Sequence, residues 1–165
     1  MTGGAISRNG RNQYVTVSDS SSLGMTDDIS VAFWITLSST SGSDPWVVAK
    51  NYSWAVKLNS GVNPQFSSGG KYAQLDYSVP ADTWVHVVFT FHSGTVVGYI
   101  NGSSVSFSAN TYTGGETFTN YLYGVNIGAY VGGPSNYFPG RVDDVRIYNR
   151  VLSAAEVSSL YSATK

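Results

Sequence analysis

One stretch decides the fold: Gly140-Arg141-Val142-Asp143-Asp144-Val145-Arg146-Ile147-Tyr148. Pro139-Gly140 at its start predicts a chain reversal, and from Val142 to Tyr148 apolar and polar residues largely alternate, which is typical of a β-strand with one buried face. Val145 and Ile147 share that face, and Asp143 is expected on the same face two positions earlier. An ionised carboxylate that points toward a core needs backbone donors, a cation or a metal ion. Asp144 and Arg146 are expected on the opposite, solvated face.

A short helix is predicted directly after this strand. Ser153 has the features of an N-cap, and Glu156 stands three residues later, which completes a capping box. Leu152 before the cap and Val157 inside the helix have the spacing of a hydrophobic staple. About two turns of helix are not stable alone in water, so the helix must dock on another element. The rest of the chain is expected to supply a sheet for it.

The segment from Gly140 to Leu160 closely resembles the C-terminal motif of laminin-G-like, concanavalin-A-like jelly-roll domains. Those domains carry a Gly-x-Ile/Val-Asp-Asp/Glu-Val-Arg-Ile-Tyr strand followed by a Leu-Ser-x-x-Glu turn of helix. Further anchors match the family along nearly the whole chain: Tyr14-Val15, Trp84-Val85-His86-Val87, Tyr99-Ile100-Asn101-Gly102 and Ile127-Gly128. The resemblance implies an all-β, two-sheet antiparallel jelly-roll sandwich with one short C-terminal helix. It says little about function, because one scaffold hosts many kinds of site.

The order of elements agrees with that architecture. Residues 29–35 are apolar on both parities, which predicts a central strand covered on both sides. Asn101-Gly102 favours positive φ at both positions and predicts a tight hairpin. Asn51-Tyr52-Ser53 is predicted as a second hairpin with an aromatic tip, and residues 109–120 as a loop. Neither a repeat nor a linker divides the chain, so residues 1–165 are predicted to form a single domain.

Composition excludes several classes of function. Charged residues make up only 12% of the 165 residues, the net charge is −1 and there is no basic run, so nucleic acid is not an expected partner. Cysteine is absent, which excludes disulfides and thiolate metal sites. No stretch reaches the roughly 20 apolar residues of a membrane span, so no membrane insertion is expected. The first residues lack the features of a signal peptide, so a signal was removed, the chain is a module of a longer protein, or it is released in another way. The short Gly-rich lead directly before a predicted strand favours the module.

The sequence does not predict an enzyme. Glycoside hydrolysis usually needs two facing carboxyl groups, and Glu116 and Glu156 are the only glutamates. Glu156 is assigned to the capping box, and no Gly-x-Ser-x-Gly elbow is present. His86 and His92 lie six residues apart on one predicted strand, roughly 20 Å, and therefore do not share a metal ion. A structural hydrogen bond is the expected role of His86.

The family resemblance implies that one structural Ca²⁺ is held at a sheet edge by aspartates and backbone carbonyls. A hard cation of this kind takes six to eight oxygen ligands. Asp143 is the leading candidate ligand, and Asp28 and Asp19 come next, since each precedes or ends a predicted strand. The alternative is that Asp143 accepts backbone N–H groups and Asp19 caps a turn.

Aromatic side chains in the loops are the candidate ligand-binding residues. Loop tips on a rigid sandwich often carry function, and flat aromatic faces stack on sugar rings. The candidates are Trp46, Tyr52, Trp54, Tyr112, Tyr130 and Tyr137, with surface packing as the alternative role.

These observations favour a non-catalytic carbohydrate-binding or adhesion module of a larger extracellular or cell-surface protein, with a glycan or polysaccharide as partner. The alternative is a structural or assembly module of a surface layer, appendage or virion, in which the same loops contact another protein.

Overall fold

The computed structural model describes residues 13–38, 44–130 and 136–165, together with the backbone of residues 6–7. In these residues, two antiparallel sheets form, one of six strands and one of seven. The six-stranded sheet A contains, in spatial order, β1 (Ile6–Ser7), β13 (Gly140–Tyr148), β3 (Ile29–Leu37), β8 (Val85–His92), β9 (Thr95–Ile100) and β10 (Ser103–Val105). The seven-stranded sheet B contains β11 (Phe107–Asn110), β7 (Lys71–Leu75), β6 (Asn63–Ser68), β5 (Trp54–Asn59), β4 (Trp46–Lys50), β12 (Val125–Ile127) and β2 (Val15–Val17). A 3₁₀ turn (Ser21–Leu23) and helix α1 (Ala154–Thr164) complete the described elements.

The two sheets face each other across one hydrophobic core. Phe33 and Phe89 project into it from sheet A, and Val56 and Phe66 from sheet B. The rings of Phe66 and Phe89 lie 6.0 Å apart, so the two sheets interdigitate as in a sandwich. This arrangement confirms the predicted jelly-roll architecture. In the described ranges, no helix has the length and apolar character needed to cross a membrane.

Strand β3 is covered on both faces, as its sequence predicts. It lies between β13 and β8, and all nine of its residues are buried. One face contributes to the core between the sheets. On the other face Ala32 packs with Val88, Leu152 and Val157 under helix α1. A run in which both alternating sets of residues are apolar therefore corresponds here to a strand that has a protein layer on each side.

Helix α1 has 11 residues and is about one turn longer than predicted. Its N-terminus is the predicted capping box: the Glu156 amide donates to Ser153 Oγ at 3.3 Å, and the Ser153 amide donates to Glu156 Oε2 at 2.8 Å. Near the C-terminus, Tyr161 stacks on Trp34 of sheet A at 5.6 Å, and Trp34 Nε1 donates to Thr164 Oγ1 at 3.0 Å. Docking along its length stabilises the extra turn, which local sequence alone does not predict.

A β-bulge in β13 overturns the predicted orientation of Asp143. Asp143 pairs with Trp34 and Arg146 pairs with Ala32, so β13 has one residue more than β3 between these two pairs. The extra residue is accommodated at Asp144, whose φ is +47°. Val145 still contacts the core, as predicted, but Asp143 lies beside Trp34 on the outer face of sheet A. Asp143 Oδ1 accepts the Asp144 amide at 2.8 Å, which is the alternative role that the sequence left open.

Two hairpin turns contain residues with positive φ, one at Asn101-Gly102 and one at Tyr52. Asn101 and Gly102 have φ of +50° and +81°, which confirms the predicted tight hairpin between β9 and β10. Tyr52 has φ of +63° in the hairpin between β4 and β5 and projects to solvent at its tip. The predicted loop at 109–120 begins later than expected, since β11 extends to Asn110 and pairs with the edge of β7.

Candidate ligand-binding groove

A groove of about 420 Å³ crosses the outer face of sheet B. Strands β4, β5, β6 and β7 form its floor, and the loop segment that carries Tyr130 forms one wall. Side chains on these strands alternate between the core and the groove. Val56 and Phe66 are core residues, so their neighbours Lys57 and Gln65 lie on the groove face.

Register places the polar floor residues opposite one another. Lys57 on β5 pairs with Gln65 on β6, and Ala55 pairs with Ser67 one row away. Trp46 on β4 pairs with Lys57, which extends the first row across a third strand. The floor therefore combines an amide and a hydroxyl with a cation, and an indole stands at one end.

Aromatic rings form the wall at that end. Trp46 and Tyr130 have ring centroids 4.8 Å apart, and Tyr52 meets Tyr130 edge-on at 6.3 Å. Tyr52 is 62% exposed, and on its other side it contacts Tyr121 and Tyr123 at 5.9 and 5.6 Å. Mutual packing of this kind holds the rings in fixed orientations and leaves part of each surface accessible.

Both lysines of the groove are already paired with carboxylates. Lys57 Nζ donates to Asp44 Oδ2 at 2.6 Å and lies 5.8 Å from the Trp46 ring. Burial opposes ionisation of Asp44, but hydrogen bonds from Lys57 and from the Ser60 amide outweigh it and lower its pKa. Lys71 Nζ donates to Glu116 at 2.7 Å, and this bond, with those from Thr113, lowers the pKa of Glu116 to about 2.

Four of the six predicted binding aromatics line this groove, and three of them do so with accessible surface. Trp46, Tyr52 and Tyr130 line it with accessible surface. Trp54 also contributes to the lining, but only 2% of it is exposed and its ring belongs to the core. Its strand places Trp54 on the same face as Val56, so its main role is packing.

Tyr112 and Tyr137 lie elsewhere, and the prediction for Tyr112 is corrected. Tyr112 is 9% exposed, its hydroxyl lies 2.9 Å from Ser68 Oγ, and its ring packs on Phe91 at 5.5 Å. Burial raises the pKa of Tyr112 to about 12. Tyr112 is a core residue because its loop folds back over the end of the sandwich. Tyr137 packs against Tyr14 at 6.4 Å and does not line the groove.

The groove also contains residues that the sequence analysis missed. Lys57, Gln65, Ser67 and Tyr72 lie on the groove face of β5, β6 and β7. Alternation with Val56, Phe66 and Ala73 would have predicted that these side chains share an outward face. The sequence carried no signal that this outer face is concave at β4–β7 or that Tyr130 covers one end of it.

The three aspartates predicted as calcium ligands have separate partners. Asp19 accepts from the buried Lys50 at 2.8 Å, and Asp28 pairs with His92. Asp143 lies opposite Trp34, six residues along β3 from Asp28, which is roughly 20 Å. These residues do not form the single predicted site, because Lys50 binds Asp19 and the bulge at Asp144 turns Asp143 to the outer face of sheet A. The sequence analysis predicted neither feature. Calcium binding by the chain itself stays a prediction.

Asp27, Asp28 and His92 do come together, with one ligand atom of each within 4.8 Å of the others. The pKa of His92 is raised, first by the hydrogen bond that its ring donates to Asp28 and then by the negative charge of Asp28. Asp27 Oδ1 already accepts the Ser93 amide at 2.9 Å and the Ser93 hydroxyl at 3.0 Å. The cluster has the geometry of an ion-paired turn at the end of β8.

The two glutamates are held as ionised hydrogen-bond acceptors. Glu156 accepts from Arg150 at 2.7 Å and from the helix N-cap, and these bonds lower its pKa to about 2. Glu116 is held in the same way by Lys71 and Thr113. A general acid in glycoside hydrolysis needs a raised pKa, whereas the pKa of each of these glutamates is lowered.

Comparison with known proteins gives the family. Residues 9–158 match the laminin G-like family described as the concanavalin A-like lectin/glucanases superfamily. The chain belongs to this superfamily. The two-sheet sandwich and the short terminal helix agree with this assignment.

Similar proteins include two solved structures and one curated protein. A putative carbohydrate-binding protein from Bacteroides ovatus superposes with a TM-score of 0.76 at 16% identity, over 92% of this chain and 45% of that one. Domain 4 of AbnA, an extracellular GH43 arabinanase from Geobacillus stearothermophilus solved with arabinotriose, gives a TM-score of 0.67 at 20% identity, over 96% and 82% of the two chains. At these identities the likeness shows a shared fold.

The curated protein is adhesion G-protein coupled receptor V1 of Danio rerio, which is 28% identical over 81 residues. That alignment covers 49% of this laminin G-like chain and 1% of the receptor. The chain thus corresponds to a very small part of the curated relative that it matches.

Proposed function

We propose that this laminin G-like chain is a non-catalytic carbohydrate-binding module and that it binds a glycan in the groove on sheet B. The observation that carries the proposal is the pair of Trp46 and Tyr130 beside the groove-facing amide of Gln65. Aromatic faces pack on the C–H faces of a sugar ring, and a few placed polar groups orient its hydroxyls. The groove offers both kinds of contact side by side.

The absence of catalysis is part of the proposal. Among the described residues, Asp44 and Glu116 are the carboxylates that accept from the two lysines lining the groove. The pKa of each is lowered, so each stays ionised at neutral pH and serves as an acceptor. Neither has the raised pKa that a proton donor to a leaving group requires.

An extracellular or cell-surface setting in a larger protein is the third part of the proposal. Its support is the family match, together with an adhesion receptor and an extracellular arabinanase among the similar proteins. A module of this kind increases the local concentration of an attached protein near a polysaccharide or a glycosylated surface.

Glycan-array screening followed by isothermal titration calorimetry tests the proposal. We expect Trp46→Ala to weaken binding of the selected glycan about 10-fold, because loss of one stacking face removes about 1.4 kcal/mol. The matched control is Tyr14→Ala, which removes an exposed aromatic that does not line the groove. Equal affinity of the Trp46→Ala protein and the parent chain would contradict the proposal, provided that both have the same circular dichroism spectrum.

A structural or assembly module is the second candidate, and one surface favours it. Leu122 is 81% exposed, and Tyr121 and Tyr123 beside it are also exposed. Exposed apolar clusters of this kind often mark protein contacts. Oligomers at micromolar concentration that Leu122→Ser disperses, together with no glycan binding, would support this function instead.

A further inference from the structure

We infer that the groove accepts a neutral, linear oligosaccharide lying across the strands, in preference to a single terminal sugar or a charged one. This inference rests on the proposed carbohydrate-binding function and adds the class of ligand. Three features of the groove carry it: its length across the sheet, an amide at its centre without a protein partner, and the pairing of both lysines that line it among the described residues.

The groove extends across four neighbouring strands. Trp46, Lys57 and Gln65 are direct cross-strand partners on β4, β5 and β6, and Tyr72 on β7 follows diagonally. Three inter-strand spacings amount to roughly 14 Å, which is the length of a short oligosaccharide and well beyond one sugar ring. An aromatic residue stands at each end of this path, Trp46 with Tyr130 at one end and Tyr72 at the other.

Gln65 lies at the centre of the path with its amide unpaired. It is 6% exposed, and its side chain points away from the core because its neighbour Phe66 is buried in it. Within the described part of the chain its side-chain oxygen and nitrogen have no hydrogen-bond partner. Neither atom is among the fully buried polar atoms that lack a partner, so the amide faces the open groove and can bond water or a ligand. A sugar hydroxyl offers both a donor and an acceptor, so it can take the place of that water.

The charges around the path are balanced. Lys57 is paired with Asp44, and Lys71 is paired with Glu116. A carboxylate or sulfate on the ligand would have to compete with these carboxylates for the same lysines, and it would be repelled by them. A neutral sugar leaves both pairs in place and still hydrogen-bonds Gln65, Ser67 and the Tyr72 hydroxyl.

The two ends of the path differ in exposure, which makes the length of the ligand measurable. Trp46 is half-buried and braced by Tyr130, so it forms the fixed end. Tyr72 is exposed, and the Gly69-Gly70 turn beside it has open space where a Cβ of Gly70 would stand. A ligand anchored at Trp46 reaches Tyr72 only if it is long enough to cross three strand spacings.

Calorimetric titration with defined sugars tests the inference. The probes are neutral gluco-, xylo- and arabino-oligosaccharides of one to about five units, with oligogalacturonides as the charged series. For at least one neutral series we expect affinity to rise steeply up to roughly three units and then to level off, because the path spans three strand spacings. Between about 50 and 500 mM NaCl the dissociation constant should change less than about threefold, since no net charge is neutralised.

Variants locate the two ends. Tyr72→Ala should weaken the three-unit ligand at least about fivefold and leave the one-unit ligand unchanged, whereas Trp46→Ala should weaken both. Tyr72→Phe is the matched control that separates the ring from its hydroxyl. Gln65→Leu keeps the size and should weaken every length.

Three results would overturn the inference. Binding of one sugar unit as tightly as three would show that the groove holds a terminal sugar. Tighter, salt-sensitive binding of oligogalacturonides would show that the lysines of the groove bind anionic ligands. Both outcomes would leave carbohydrate binding itself standing, whereas no binding to any sugar on an array would refute the proposed function and this inference with it.

Discussion

His86 should make the protein lose stability as the pH falls from 6.5 toward 4. Its side chain is on β8 under helix α1, 1% exposed, between Trp34 at 5.1 Å and Tyr161 at 5.9 Å. Nδ1 is buried and has no hydrogen-bond partner in the structure. Burial lowers the pKa of His86 from 6.5 to about 4, with Asp144 raising it slightly and Arg146 lowering it. The predicted structural hydrogen bond of the ring is therefore replaced by packing, because the helix covers the imidazole without offering Nδ1 a partner.

The sign and size of the effect follow from proton linkage. Below pH 6.5 the unfolded chain binds a proton at His86 and the folded protein does not until about pH 4, so acid favours unfolding in this window. Between about pH 7.5 and 4.5 the free energy of unfolding should fall by about 2.5 kcal/mol from this residue alone. His92 has a raised pKa, so its stabilisation is complete below 6.5 and is lost as the pH rises above it. Glu116 and Glu156 have pKa values lowered to about 2, so their contribution is lost only below about 4.5.

Urea unfolding followed by tryptophan fluorescence at several pH values measures this contribution. Between pH 7.5 and 4.5 we expect His86→Phe to lose about 2.5 kcal/mol less of its free energy of unfolding than the parent chain, since the ring packing is kept and the titrating group is gone. His92→Gln is the control, and its free energy of unfolding should still fall below pH 6.5 as that of the parent chain does. Parallel curves for the parent and His86→Phe would refute the argument, and His86→Leu repeats the test with a smaller side chain.

Two further predictions concern stability. Lys50 is 1% exposed and donates to Asp19 and Asn120, so Lys50→Met should lower the free energy of unfolding by about 2–4 kcal/mol, because it leaves their oxygens without a donor. Lys57→Met, which removes one partly exposed pair, is the control and should cost under about 1 kcal/mol; equal losses would contradict the role given to Lys50. Ser153→Ala should cost about 1 kcal/mol and lower the melting temperature by roughly 2–4 °C, because it removes the cap of α1. An unchanged melting curve would mean that docking alone determines where the helix begins.

Features that depend on residues close together in the sequence could be predicted from the sequence itself. The strand predicted at residues 142–148, which begins two residues earlier at Gly140, the capping box of Ser153 and Glu156 and the Asn101-Gly102 hairpin all appear in the structure. Each rests on side-chain periodicity, on a hydrogen bond within one helical turn or on a backbone conformation that few residues adopt. These are properties of a few consecutive residues, so no knowledge of the rest of the fold is needed.

The candidate site depended on contacts between distant parts of the chain. The bulge that turns Asp143 to the outer face follows from pairing with β3, and Lys50 captures Asp19 across 31 positions. The same kind of long-range packing buries Tyr112 and brings Tyr130 onto Trp46. The conformation of a loop, and whether a strand face is covered, depend on the residues that pack against them. Those residues come together only when the two sheets have assembled. The sequence by itself therefore determined which residues form strands and the helix, and only the tertiary structure decided which aromatics share a groove.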